Sequence, residues 1–453
     1  MNVQEVSARE IIKHCVKLNT PIVAGGPMFT HEYERFPDVD HFVLNEAEIT
    51  LPLFLKDLEE GNPQKVYKTD QYADVHQTPI PMWSLAKMKK YASVLIQYSR
   101  GCPWMCDFCD VTVLFGRKPR TKTPEQIIAE LESIPDINSF GLVFFADDNL
   151  IGNKRDLKTN LLPALGEWQA EREEKVWFMT QVTVNMADDD VLLEQMQKAG
   201  FGTVFVGLET PDEETLIACK KKQNTRRSMI DNIKYLQTSG FEVMAGFIVG
   251  FDTDEPDIFD RQIEFIQESG IVLSILGLLN APPGTELHDK MKEQGRLIDQ
   301  TWYFEGATNL IPKMDSELLF NGFNKVVSHL YGKEGFYERA RNFISMYNMP
   351  QIFKESKFVL RPVMLKALFN ALFVLGIKDS HRMEFWKLMF WTVRNKPQYW
   401  DWVLKLCARG RHFRLVYEDN VEKSNQILGD IKSTQKTYLD KVKATQNLEP
   451  VMS

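Results

Sequence analysis

Between residues 91 and 305 the chain alternates six short apolar runs with segments of helical period. The runs begin at Ser93 (SVLIQYS), Gly141 (GLVFFA), Val176 (VWFMTQV), Gly202 (GTVFVGLE), Glu242 (EVMAGFIVG) and Val272 (VLSILGLL). Helical patterns cover 124–133, 157–173, 188–198, 212–219, 227–239 and 255–268. Strands that read as continuous apolar runs are buried on both faces, and strands joined through helices run parallel. Successive right-handed crossovers of about 30–40 residues then curl the sheet into an open barrel. The expected fold class is therefore α/β, with a partial (βα)6 barrel at its centre.

The flanks differ from this core. Residues 1–61 hold a helix over 7–18, an apolar strand ending in glycines (PIVAGGP), a short strand (HFVLN) and a helix over 49–59. About two strands are too few for a doubly wound domain, so this segment reads as the closing part of one. Residues 62–90, with PIPMW, read as an extended linker, because each proline removes a donor and biases its predecessor away from helix. From 306 to 453 the periodicity is helical and strongly aromatic, as in EFWKLMFWTVRNKPQYWDWVLKL, and the stretch 354–414 is basic. These helices are expected either as ordinary core or as a face for the barrel mouth or a membrane surface. The polar tail after Tyr417 is expected to be a surface helix or disordered.

A net charge of −8 argues against broad binding to nucleic acid. Of the six cysteines, Cys15, Cys219 and Cys407 lie far from the rest, which is no disulfide framework and points to a reducing cytoplasm. The first residues carry no apolar signal region. The run VMLKALFNALFVLGI is interrupted by Lys366 and Asn370 and falls short of the roughly 20 residues that span a bilayer.

The other three cysteines, Cys102, Cys106 and Cys109, stand as C-x3-C-x2-C after the first barrel strand, where βα loops gather active-site residues. Three thiolates suit zinc or an iron–sulfur cluster. Zinc needs a fourth ligand, for which a remote residue such as His288 would serve. A redox pair would use Cys106 and Cys109 and leave Cys102 unexplained. A four-iron four-sulfur cluster on three cysteines keeps one iron open to another ligand.

With Phe108 directly before the third cysteine and the motif after the first of six βα units, the chain resembles the radical S-adenosylmethionine (SAM) enzymes. The resemblance implies a 4Fe–4S cluster on Cys102, Cys106 and Cys109, with SAM on the open iron. It also implies cleavage of SAM to a 5′-deoxyadenosyl radical, with electrons from a donor such as flavodoxin or ferredoxin. Phe108 is implied as a cofactor-side residue. Asp147 and Asp148 stand where the family often has Gly-Gly-Glu facing the SAM amino group; their plain alternative is a helix N-cap. Glu209 in GLET matches a carboxylate that meets the ribose, with an ion pair to nearby lysines as its alternative. Gly246 and Gly250 in GFIVG match the segment beside the adenine, and APPGTELHD matches the turn after the sixth strand.

IVAGGP followed by FVLNEAE is further similar to the end of the Rossmann-like cobalamin-binding domain found in one subgroup, with Asn45-Glu46-Ala47-Glu48 in place of Gly-Glu-Gly-Glu. That domain's Asp-x-His-x-x-Gly segment is expected upstream of Met1, and His14, His31 and His41 read as surface or packing residues. Cobalamin is thus left open as a further cofactor. CDVTVLFGRKPRTK and DDNLIGNK look closest to hopanoid C-2 methyltransferase-like proteins, which implies methylation of an unactivated carbon on a small-molecule or lipid substrate. Arg117, Lys118 and Arg120 would meet an anion or form a solvated loop. A non-catalytic zinc or iron–sulfur protein is the alternative from another class.

Overall fold

Three short strands, β1 (Val23–Gly25), β2 (His41–Val43) and β3 (Val66–Tyr67), pair in parallel in that order. They belong to a computed structural model that describes residues 4–225, 227–298, 306–357, 359 and 361–446. Strand β3 lies inside the segment expected to be only a linker; Val66 and Tyr67 pair with Phe42 and Val43, and the rest of the segment proceeds through 3-10 turns.

The barrel begins with β4 (Ser93–Ile96), followed by a small antiparallel hairpin of β5 (Ser99–Arg100) and β6 (Arg120–Thr121). Five strands complete it: β7 (Leu142–Phe145), β8 (Phe178–Val182), β9 (Phe201–Glu209), β10 (Glu242–Val249) and β11 (Ser274–Leu278). All six strands of the sheet are parallel, in the order β4-β7-β8-β9-β10-β11. Strand alternation sorts the side chains into two faces. Val143, Phe145, Phe178, Val204 and Val206 are buried against the helices. Leu95, Phe144, Met179, Phe205, Ile248 and Ile275 alternate with these buried positions on the concave side and stay partly or fully exposed.

Helices cover the outer face for local reasons. Pro124–Ser133 starts at a capping box in which Thr123 and Gln126 satisfy each other's backbone, with Pro124 in the first turn. The helix expected over 157–173 instead opens with a π-turn, Leu157–Leu161, before Leu162–Ala170. Pro163 has no N–H to give Thr159, and the ladder re-forms around that gap.

The expected boundary at 305/306 borders residues 299–305, which lie outside the described residues. Beyond it, the tail after Tyr417 is a helix on the surface of the molecule as far as Gln446, part of one 47-residue helix, Trp400–Gln446, that is buried along one side; residues 447–453 lie outside the described residues. Tyr417, Asn420, Ser424, Ile427, Ile431 and Gln435 recur every three or four residues on its buried side. Ser424 donates to Gly306 O at 2.7 Å, and Gln435 Oε1 accepts from Ser316 N at 3.0 Å. Tyr417 also closes the free edge of the sheet. Its hydroxyl accepts from Leu276 N at 2.7 Å and donates to Leu276 O at 3.1 Å, and Tyr331 does the same at Ser274. The two stacked tyrosines thereby satisfy backbone groups that an edge strand leaves open.

Leu319 of the helix Ser316–Leu330 packs beside Gly250 at the mouth end, whereas later C-terminal residues reach the other end. Phe353 stacks on Trp177, just before β8, at 4.2 Å, and Arg409 pairs with Glu242 at the start of β10 at 2.6 Å. Tyr347 stacks on Trp402, and Tyr399 donates to Tyr347 O. These contacts close the end of the barrel where the strands start, opposite the cysteines.

Candidate active site at the mouth of the barrel

The cysteine loop leaves β5 and is pinned along its length. Cys102 N donates to Gly116 O, Cys109 N to Cys106 O, Asp107 N to Cys219 O, and Leu287 N to Asp107 O. Gly101, at φ +97°, has backbone oxygens so close that a β-carbon would lie 2.8 Å from Gly116 O. All six cysteines are free thiols. Burial pushes the thiols of Cys102 and Cys106 up, and that of Cys109 up to about 12. Asn149 offers Nδ2 to Cys102 Sγ at 3.9 Å, and Gln223 offers Nε2 to Cys106 Sγ at 3.8 Å. Lys221 opposes the effect of burial at Cys106. Among the described residues no three His, Cys, Asp or Glu side chains are placed to hold one metal ion. Three soft thiols with amide donors on two of them fit a cubane cluster, whose thiolate ligands stand wider apart than those of a single ion.

The two aspartates after β7 separate. Asp147 is fully buried and already engaged: it accepts from Ser99 N, from Ser99 Oγ at 2.6 Å and from Tyr98 N at 3.2 Å. Burial raises it to about 7. It ties the end of β7 to the start of the hairpin that carries Cys102. Asp148 is the less buried of the two, accepts from Gly101 N at 3.3 Å, and is raised by burial to about 6. Asn149 completes the turn, with its Oδ1 buried and without a partner.

Glu209 ends β9 at φ +66°, beside a register shift that pairs Gly246 with Gly207 and Phe247 with Glu209. The ion pair weighed as its plain alternative is present: Lys221 Nζ meets Glu209 Oε1, and both side chains are buried. Gly207 makes room for the pair, since a β-carbon there would lie 2.6 Å from Glu209 Oε1 and 2.8 Å from Lys221 Nζ. Lys221 Nζ also sits 5.9 Å from the Phe108 ring, which packs edge-on against Phe251 at 6.1 Å. Gly246 faces Phe205 on the concave side. Gly250, at φ +100°, donates its N–H to Asp254 Oδ2 at 2.7 Å. Burial raises Asp254 to about 7, and its Oδ1 has no partner.

The mouth thus gathers Cys102, Cys106, Cys109, Phe108 and Glu209, with Asp148 held against the loop at Gly101. Lys221, Gln223, Asn224 and Asp254 were not singled out from the sequence. The first three sit in KKKQNTRR, whose lysines the sequence offers only as ion-pair partners for Glu209, and the fold brings Gln223 to Cys106 Sγ as well. Arg120 is neither a solvated residue nor a free anion site. It pairs with Glu46, as Arg100 does with Glu48 at 2.7 Å, so the NEAE segment clamps the small sheet to the cysteine hairpin. Arg117 and Lys118 are exposed.

Comparison with known proteins agrees with this arrangement. Residues 96–266 match the radical SAM superfamily, and 285–426 match a domain of unknown function, DUF4070. An uncharacterized methyltransferase of Synechocystis sp., sll1242, is 36% identical over 98% of this chain and 83% of its own length. The hopanoid C-2 methylase of Rhodopseudomonas palustris is 32% identical over 85% of this chain and 74% of its own. The chain belongs to the radical SAM methyltransferases. Family membership brings a 4Fe–4S cluster and SAM as cofactors. Among solved structures the same fold occurs in the cobalamin-dependent SAM radical enzyme OxsB, with TM-score 0.56, 14% identity, and coverage of 96% of this chain and 74% of that one. It occurs also in the radical SAM methyltransferase TsrM of Kitasatospora setae, with TM-score 0.54, 14% identity, and coverage of 66% and 63%.

Proposed function

We propose that this radical SAM methyltransferase places a methyl group on an unactivated carbon of a hydrophobic, hopanoid-like substrate. The observation that carries the reading is the concave face. Leu95, Phe144, Met179, Phe205, Ile248 and Ile275 line it without being fully buried, and it ends at the thiols. An apolar concavity with few polar groups suits a ligand bound by shape and burial. Cys102, Cys106 and Cys109 would hold the cluster, which would supply the electron that cleaves one SAM to methionine and a 5′-deoxyadenosyl radical able to take a hydrogen atom from the substrate, while a second SAM would supply the methyl group.

The chain's own residues hold and orient. Asp148 is proposed to accept the SAM ammonium by charge-assisted hydrogen bonds, supported by the turn that Asp147 fixes. Glu209 is proposed for the ribose, with Lys221 keeping its carboxylate in place between turnovers. The segment from Gly246 to Gly250 is proposed to lie beside the adenine, and Phe108, packed on Phe251, to shield the site from water. Electrons would come from a donor such as flavodoxin or ferredoxin.

Anaerobically reconstituted protein, given SAM, reductant and a hopanoid, is expected to form 5′-deoxyadenosine and a methylated product. Running the assay with and without cobalamin shows by which route the methyl group travels. Iron–sulfur absorbance with no 5′-deoxyadenosine would refute the radical reading. Zinc in place of iron and sulfide would favour a non-catalytic metalloprotein.

A further inference from the structure

The helix Pro362–Phe373 is apolar but for Lys366 and Asn370, yet none of its described side chains, 364–373, is buried. Leu368, Ala371 and Leu372 lean on the core. Leu365, Phe369 and Phe373, each four residues from the next, form an outward stripe, with Phe369 71% exposed. The stripe continues through Ile377 to the helix Arg382–Asn395, where Met383, Phe390 and Val393 are exposed, Phe390 at 69%. Phe369 stacks on Phe373, and Phe390 on Trp386.

Cations stand among these rings. Lys378 Nζ lies 5.0 Å from the Phe373 ring. Among the described residues, Lys366, Lys378, Arg382 and Arg394 have no carboxylate within ion-pair distance, and Lys387 reaches Glu384 at 3.4 Å. This basic face belongs to a chain whose net charge is −8. An aromatic and aliphatic ridge flanked by unpaired Lys and Arg is the chemistry of an interfacial helix. A second copy of the same face would bring like charges together, whereas anionic headgroups complement them. No described helix is long and apolar enough to cross a membrane, so the contact would lie in the plane of the interface.

We propose that the face built from Pro362–Phe373 and Arg382–Asn395 docks the protein on anionic lipid bilayers. It belongs to the C-terminal helices that close the barrel, so the cysteine mouth stays free of the contact. The inference stands on this face alone and needs neither cluster nor SAM, so it can fail without touching the radical reading.

The test is co-flotation of the full chain with phosphatidylcholine vesicles, with and without phosphatidylglycerol, at low and high salt. Binding is expected only to the anionic vesicles and should weaken with salt. A double variant, Phe369→Ser with Phe390→Ser, should lower the partition coefficient about tenfold or more, as should Arg382→Gln with Arg394→Gln. Both pairs are exposed, and circular dichroism should report unchanged helix content. Absence of flotation, equal binding to neutral vesicles, or binding unmoved by both variants would overturn the proposal. So would a wild-type dimer, seen by light scattering, that the Phe369→Ser/Phe390→Ser change dissolves.

Discussion

At the mouth of the barrel, Asn149 Oδ1, Gln223 Oε1, Asn224 Oδ1 and Asp254 Oδ1 are buried without partners. At the closed end, Trp177 donates to Thr203, Thr203 to Glu242, and Arg409 to the second oxygen of Glu242, with Tyr347, Tyr399 and Trp402 packed around them and only Tyr347 Oη of this group left buried without a partner. Buried polar groups without partners are uncommon unless something else meets them. The contrast assigns stability to one end and ligand capacity to the other. A ligand that meets the mouth's open groups binds the folded state and raises the unfolding free energy, whereas the closed end should gain nothing from it.

The sharpest way to break the comparison is at the thiols. Cys109→Ala should abolish iron loading and cut turnover by about 10³-fold or more, on the order of 4 kcal/mol. The metal-free protein should keep its stability to within about 1 kcal/mol, because the side chain is only partly buried. Trp402→Ala should show the reverse: about 3–5 kcal/mol lost in a denaturant titration, with iron per folded molecule unchanged. Asp147→Ala belongs to both ends of the contrast, since it strands Ser99 N, Ser99 Oγ and Tyr98 N. It should cost about 2–3 kcal/mol and lower cluster loading, with Asp147→Asn recovering part of each.

Smaller effects sharpen the picture. Asp254 has a folded-state value of about 7, above its ordinary range, so the folded protein binds the extra proton between about pH 4 and 7. Stability contributed this way is present at the acid end of that window and falls as pH rises through it, by up to about 1 kcal/mol per pH unit. Denaturant midpoints measured across the window should show a shallower decline in Asp254→Asn. The smallest change is Gly207→Ala, which presses on the tips of Glu209 and Lys221. Calorimetry should show SAM affinity shifted with stability altered by about 1 kcal/mol or less.

The barrel was legible because runs such as GTVFVGLE and EVMAGFIVG are apolar without interruption, and the thiols because C-x3-C-x2-C sits after the first of them. Other parts were hidden for physical reasons. The buried stripe of the last helix uses Asn420, Ser424 and Gln435 beside Ile427 and Ile431, so its spacing of three and four looks polar. The edge-closing roles of Tyr331 and Tyr417 depend on contacts 57 and 141 residues away along the chain. Asp147 and Asp148 are adjacent and chemically alike in sequence, and only burial tells the anchor from the open carboxylate. The value of Lys221 depends on a bulge at Glu209 that no residue type announces.

A six-stranded barrel has a lateral gap, and the tyrosines on β11 decide which side of it can move. With Ser274 and Leu276 tethered through hydroxyls to two helices, that margin is fixed, like the hinged side of a door frame. β4 pairs only with β7 within the barrel sheet, and Leu95 on it is 54% exposed. Among the described residues the outer edge of β4 carries no such tether, so the sheet is less restrained at this margin, which leads into the cysteine hairpin that Asp147 holds to β7. Movement at that margin would be felt at Cys102, which follows β4 by only a few residues of chain.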